Sequence, residues 1–352
     1  MGPSSSITIH DVARAAGVSP SSISNYINGR HDQMGLETRK KIGNVIETLG
    51  YRPSNAARQL KTGLSTMIGL LVPTIANQFF AQLAAEVETA AQQYGFRLLL
   101  CNTQRNREKE RQFAGELSSY GVRALILGSA LRDPVGMLKL INRNVAVVAF
   151  DALLAEIGVD GIDAVSIDNA LAMKMAVEHL AGLGHKDIAY VSGPLGTIGR
   201  DTRLRAYEEE MAARNLGCGT VFIEQPPDAR PAYGDSDLVR LGHQAAVRIS
   251  DMLGKPTAII AMNDLIATGL MTGFQERNIS VPRDISIIGM DDIGIASMTA
   301  PRLTTLQQPF AQMAEAAVGA LYSRLNDRDL PNREVIFEPR LIIRSSTTQT
   351  GK

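Results

Sequence analysis

Between residues 67 and 290 the chain alternates short apolar runs with longer stretches of helical spacing, and that alternation constrains the fold more than any other feature. The first runs are MIGLLV (67–72), FRLLLC (96–101), ALILG (124–128) and VAVVAF (145–150). A second series follows: AVSI (164–167), DIAYV (187–191), TVFIE (220–224), TAIIAM (257–262) and ISIIGM (285–290). Runs that are apolar throughout, rather than alternating with polar residues, suit strands buried on both faces. Intervening patterns such as Phe80 to Tyr94 then supply the crossover helices of parallel sheets. Two βαβ series of similar length predict an α/β body of two doubly wound lobes.

In such sheets ligands bind beyond the carboxyl ends of the strands, so polar residues just after the runs become candidates. Asp151 follows VAVVAF, Asn263 and Asp264 follow TAIIAM, and Asp291 and Asp292 follow ISIIGM. Arg203 sits in the helix opened after DIAYVSGP, and Phe79 and Phe80 lie beyond MIGLLV. Taken singly, each Asp or Asn is equally a loop cap.

The first 60-odd residues read differently. Thr8-Ile9-His10-Asp11 has the form of a capping box, which predicts a helix from Ile9 to Ala16 stopped by Gly17. Ser19 as N-cap and Pro20 at the first helical position open a second helix that ends near Asn28-Gly29. Two short helices joined through a glycine make a helix-turn-helix, and a third amphipathic stretch runs from Glu37 to Leu49. Ile23 and Ile27 face Val12, Ala16 and the third helix, leaving Ser21, Ser22 and Asn25 outward near the start of the second. Serine and asparagine at that place contact base edges in helix-turn-helix proteins.

Charge agrees. The 352 residues carry 36 basic and 36 acidic side chains, yet residues 1–62 hold eight basic and four acidic, a net of +4. A basic head on a mildly acidic body suits a polyanionic partner. No run reaches the 18 or more apolar residues of a membrane span, and MGPSSSITIHDV lacks the build of a signal peptide. Two distant cysteines, Cys101 and Cys218, form no disulfide framework or metal knuckle, and a cytoplasmic, nucleoid-associated protein is expected.

From Thr8 to about Ser346 the chain resembles the LacI/GalR family of bacterial transcription regulators. The resemblance rests on TIHDVARAAGVSPSSISNYING, LGYRPSNAARQLKTG, HLAGLGHKDIAYVSGP, NDLIATG, VPRDISIIGMDD and PRLTTLQQP, in that order and spacing. It implies a lambda-repressor-like helix-turn-helix head (7–52), a hinge helix (53–63) and a periplasmic-binding-protein-like body (64–346). The expected lobes are 64–163 with 294–325, and 164–291 with 328–346. It also implies DNA contacts from Ser21, Ser22, Asn25, Arg30, Arg58 and Lys61, with Leu60 as a minor-groove wedge. Pro20 replaces the polar residue often found among the family's groove readers. Asp151, Arg203, Asn263, Asp291 and Gln308 match the family's effector-binding positions, and Phe79 and Phe80 its pocket-wall aromatics. An arginine between carboxylates and amides suits the alternating donors and acceptors of a carbohydrate.

Where many members carry an aromatic for stacking, this chain has Asp237, with Tyr233 nearby. The tail RLIIRSSTTQTGK has no leucine heptads, which favours a homodimer on a palindromic operator. The expected protein is an effector-controlled repressor with no cofactor and no metal. The alternatives are a two-lobed binding protein for a nucleobase or another non-sugar ligand, and an enzyme. Against the enzyme, GLLVPTIANQ contains neither G-x-G-x-x-G nor a Walker-type lysine.

Overall fold

The computed structural model describes residues 7–27, 29, 30, 32, 34–51, 66–128, 133–216, 219–225 and 234–351. The chain divides into two units, residues 1–64 and 65–352.

In the first unit, α1 (Ile9–Ala16), α2 (Pro20–Ile27) and α3 (Leu36–Leu49) enclose a small core of Val12, Ala13, Ala16, Ile23 and Ile42. The capping box at Thr8 is formed: its hydroxyl donates to Asp11 Oδ2 at 2.6 Å, and that oxygen also accepts from Thr8 N at 3.0 Å. These hydrogen bonds hold the Asp11 carboxyl below its ordinary value. Gly17, at φ 64°, closes α1 in the left-handed conformation that only glycine adopts without strain. At the head of α2, Ser19 Oγ accepts from Ser22 N at 3.1 Å and pairs with Ser22 Oγ at 3.0 Å. Caps of this kind contribute about 1 kcal/mol each, which matters for eight-residue helices unable to stand alone.

The second unit holds two six-stranded sheets. The first lobe contains β1 (Met67–Val72), α4 (Gln78–Gln93), β2 (Arg97–Asn102), α5 (Arg107–Ser119), β3 (Ala124–Leu127) and α6 (Pro134–Asn142). It continues through β4 (Ala146–Phe150), α7 (Leu154–Ile157) and β5 (Ile162–Ile167). The second lobe contains α8 (Asn169–Gly182), β6 (Ile188–Ser192), α9 (Ile198–Ala213), β7 (Val221–Ile223), α10 (Asp235–Ser250) and β8 (Ala258–Ala261). After these come α11 (Asp264–Glu276), β9 (Ser286–Asp291), a 3-10 turn (Gly294–Ser297) and β10 (Thr304–Gln307). The chain returns to the first lobe for α12 (Phe310–Asn326) and β11 (Glu334–Phe337), and ends its second sheet with β12 (Arg340–Ile342).

The sheet orders are β11-β5-β4-β3-β1-β2 and β12-β10-β9-β8-β6-β7, and only β12 runs antiparallel to its neighbour. Leaving out β11 and β12, each is a doubly wound sheet of order 2-1-3-4-5. The apolar runs account for this: β3, β4, β5, β8 and β9 are buried along their whole length. Truncating a residue such as Ile126 or Ile260 to alanine should cost about 2–5 kcal/mol.

The lobe boundaries expected from the sequence need correction. AVSI belongs to β5, which pairs in parallel with β4 in the first sheet, not with the second series. β10 lies in the second sheet beside β9, and β11 in the first beside β5. Apolar runs reveal strands but not their partners. The chain changes lobe three times, at Asp168, at Pro309 and between Phe337 and Arg340, and no break in hydrophobicity marks those crossings.

Candidate functional site

The carboxyl ends of both sheets meet at a narrow cleft. Asp151 comes from the end of β4 in the first lobe; Asp291, the last residue of β9, comes from the second. Asn263 caps α11, its Oδ1 accepting from Ile266 N at 3.0 Å. Arg203 projects from the second turn of α9. Both carboxylate residues hold backbone conformations unusual for a side-chain-bearing residue, with φ 56° at Asp151 and 108° at Asp291. Strain of this kind costs about 1–3 kcal/mol and concentrates at functional sites.

Arg203, 5% exposed, organises the floor. Its Nε donates to Asn169 Oδ1 at 2.7 Å and its Nη1 to the Met262 carbonyl at 3.3 Å, while Asp151 Oδ1 stands 3.9 Å from Nη2. Asn169 Nδ2 completes the triangle by donating to Asp151 at 3.4 Å. Gly199 makes room for Asp151, because a Cβ there would lie 2.4 Å from its carboxylate.

Gln308 Nε2 donates to Asp291 Oδ1 at 2.6 Å. Burial pushes the Asp291 carboxyl up to about 7, against the pull of Arg203. Behind it, Asp264 accepts from Thr305 Oγ1 at 2.5 Å and Ile293 N at 2.9 Å. Burial and the nearby Asp291 hold the Asp264 carboxyl well above the carboxylate range. Phe79 and Phe80 form one wall, ring edge to ring face at 4.9 Å, and Phe310 stands 5.1 Å from Phe79.

Six of the seven expected cleft residues line the space, and Gln308 supports Asp291 without lining it. Asp292 serves the framework, accepting from Arg344 Nη2 at 2.6 Å and Gln307 Nε2 at 2.9 Å. Asp237 does not line the cleft; it accepts from Arg240 along α10 at 3.1 Å. Tyr233 lies outside the described residues. Among the described residues no cluster of three metal-ligating side chains is found. No described helix is long and apolar enough to cross a membrane.

On the head, Ser21 and Arg30 are exposed, and Ser22 and Asn25 are half-buried on α2. The Ser22 hydroxyl is engaged by the Ser19 cap. Arg58, Leu60 and Lys61 lie outside the described residues.

Residues 8–54 match the family of bacterial regulatory proteins, lacI family, and residues 177–347 match the periplasmic binding protein-like domain. Over 97% of its length the chain is 34% identical to the HTH-type transcriptional regulator PtxS of Pseudomonas putida, covering 96% of that protein. The chain belongs to the LacI family. Catabolite control protein A of Priestia megaterium, also similar, is 32% identical over 97% of this chain and 99% of its own.

The fold is that of the lac repressor dimer bound to operator and the anti-inducer ONPF, with a TM-score of 0.85 over 97% of this chain and 99% of that one, at 24% identity. A LacI transcriptional regulator from Alkaliphilus metalliredigens complexed with D-xylulofuranose matches 80% of this chain and 99% of its own, at TM-score 0.69 and 28% identity. This LacI-family chain is therefore a transcriptional regulator with a DNA-binding helix-turn-helix head and a periplasmic-binding-protein-like body. These relatives are regulators, not enzymes.

Sequence reasoning missed Asn77, Arg105, Thr197, Arg200 and Met262 in the cleft wall, and Asn169, which holds Arg203 and Asp151. Arg200 carried a signal. It lies three residues before Arg203, hence on the same face of α9, and a cation in the first turn opposes the helix dipole.

Proposed function

We propose that the protein is a homodimeric repressor whose affinity for a palindromic operator is set by a sugar or sugar derivative bound in the cleft. The observation that carries this reading is the convergence of Asp151 from one sheet with Arg203, Asn263 and Asp291 from the other around one narrow cleft. A ligand whose hydroxyls bridge the two sets favours the lobe arrangement in which they face each other, and shifts the population toward it. The D-xylulofuranose complex of the Alkaliphilus metalliredigens regulator supports a carbohydrate in such a cleft.

Direct interlobe bonds already exist. Gln78 N donates to Asp235 Oδ1 at 2.9 Å, and Asp235 N to the Ala76 carbonyl at 2.9 Å. On the head, Ser21 and Asn25 read bases, Arg30, Arg58 and Lys61 meet phosphates, and Leu60 wedges the minor groove. Operator binding of this kind belongs in the cytoplasm, on the chromosome.

The test is operator affinity, followed by fluorescence anisotropy, with a panel of pentoses, hexoses and their derivatives. Effector coupling of about 1–3 kcal/mol corresponds to a 5- to 150-fold change in operator affinity. Asn263→Ala should abolish the response and leave effector-free operator binding intact. Asn25→Ala should cost about 1–3 kcal/mol of preference for the cognate site. A sugar that binds the cleft and leaves operator affinity unchanged would refute the coupling.

A further inference from the structure

Arg200 is 7% exposed, lines the cleft, and lacks the partner its charge requires. Its Nη1 donates to the Pro194 carbonyl at 2.5 Å, a neutral acceptor. Among the described residues no carboxylate lies within ion-pairing distance of its guanidinium, whereas Asp151 stands 3.9 Å from Arg203. Three guanidinium groups border this space, from Arg105, Arg200 and Arg203, against two carboxylates, Asp151 and Asp291.

Of those two, Asp291 is already pushed up to about 7 by its burial. Burial, then Arg105, then Arg203 press against the proton of Arg200 and hold its affinity for it well below normal. A buried cation left this way is costly, and its position in the first turn of α9 adds an unfavourable dipole term. Its bond to Pro194 ties the loop before α9 but leaves the charge uncompensated, and the cap at Thr197 makes no side-chain hydrogen bond.

We propose that Arg200 is an anion-binding subsite beside the polyol-binding groups, so that the effector is an acidic sugar derivative carrying a carboxylate or a phosphate. This rests on the cleft reading above and narrows its ligand class. The hydroxyls of such a ligand meet Asp151, Asn263 and Arg203. Its anionic group takes the charge-assisted hydrogen bonds of Arg200, whose planar fork matches either oxyanion.

The experiment compares the full-length protein with Arg200→Met and Arg200→Lys by isothermal calorimetry and thermal shift. The probes are D-glucose, D-gluconate and D-glucose 6-phosphate; D-ribose, D-ribonate and D-ribose 5-phosphate; and inorganic phosphate at constant ionic strength. An anionic member should bind at least tenfold more tightly than its neutral parent. Arg200→Met should reduce that preference below twofold, Arg200→Lys should retain part of it, and the neutral parent should bind both proteins alike. Whichever of gluconate or ribonate and the phosphates wins identifies the anion. Ligand-free Arg200→Met should melt at or above the wild-type temperature, because it removes an uncompensated buried charge; a clear fall would make Arg200 structural and overturn the proposal.

Equal binding of neutral and anionic sugars, or an anion preference that survives Arg200→Met, also overturns it. So does a panel in which no probe, phosphate included, shifts the wild type more than Arg200→Met. A neutral sugar that changes operator affinity without any anion preference removes the subsite and keeps the sugar-controlled repressor. Phosphate binding lost in Arg200→Met, with no sugar affecting the operator, keeps the subsite and removes that reading.

Discussion

Two places in the body bury arginine to the same degree and use it in opposite ways. Under α12, Arg324 is 4% exposed and fully satisfied: its Nη2 donates to Asp163 Oδ1 at 2.6 Å and its Nε to Oδ2 at 2.9 Å. Its remaining donors reach the carbonyls of Arg328, Leu330 and Pro331. In the cleft, Arg203 has an amide, one carbonyl and a carboxylate at 3.9 Å, and Arg200 has a single carbonyl. Equal burial with unequal satisfaction separates a residue that holds the fold from one poised for a ligand. Arg324 ties α12 and the 328–331 segment to β5, strapping the chain's return to the first lobe.

The largest expected effect breaks the satisfied pair. Arg324→Met strands Asp163, 2% exposed, with only the Arg333 N–H at 2.8 Å, and should cost about 3–5 kcal/mol in denaturant unfolding. A loss under about 1 kcal/mol would erase the contrast between the two sites. Arg203→Met should behave the other way. Removing a charged donor should cost ligand binding about 2–3 kcal/mol, roughly a hundredfold in calorimetry. Its unfolding free energy should change by less than about 1 kcal/mol, because Arg203 is incompletely paired without a ligand.

The same contrast explains what could be read from the sequence. The head was legible because a capping box, Gly17 and Pro20 are local signals, each acting within one turn of its own helix. Asp151, Asn263 and Asp291 were legible because a strand end is a position along the chain that apolar runs mark directly. Asn169 was not, since its place beside the cleft depends on which strands share a sheet, whereas Arg200 could have been read from its spacing to Arg203. That pairing was misjudged at β5, the strand that leads into α8 and Asn169. The satisfied Arg324–Asp163 pair spans 161 residues, and no periodicity connects positions so far apart.

A pH effect sharpens the comparison from the carboxylate side. Asp291 titrates near 7 in the folded protein, against about 3.9 in an unfolded chain, so the folded state binds the extra proton between those values. Its contribution is fully present below about pH 4 and is lost as pH rises through about 7. Asp291→Asn mimics the protonated form. It should be more stable than wild type at pH 8, by on the order of 1–2 kcal/mol, and match it near pH 4. Taking the difference between variant and wild type cancels Glu110, which burial also raises to about 7; Asp264, raised in part by the Asp291 charge, relaxes with the substitution and adds to the gap in the same direction. A gap independent of pH would mean that Asp291 stays ionised in the fold.

The smallest expected effect comes from an arginine–aspartate pair that is neither buried nor in the cleft. Arg240 and Asp237 meet at 3.1 Å on α10 with side chains 46% and 34% exposed, where solvent screens the pair and rotamer entropy offsets it. Asp237→Ala should change stability by less than about 0.5 kcal/mol. It should also leave ligand selectivity unchanged, although Asp237 stands where many family members carry a stacking aromatic. Calorimetry of Asp237→Ala with the sugars bound by wild type checks both at once. A shift in selectivity would bring α10 into the ligand site and make Asp237, not Arg200, the residue that departs from a sugar-binding design.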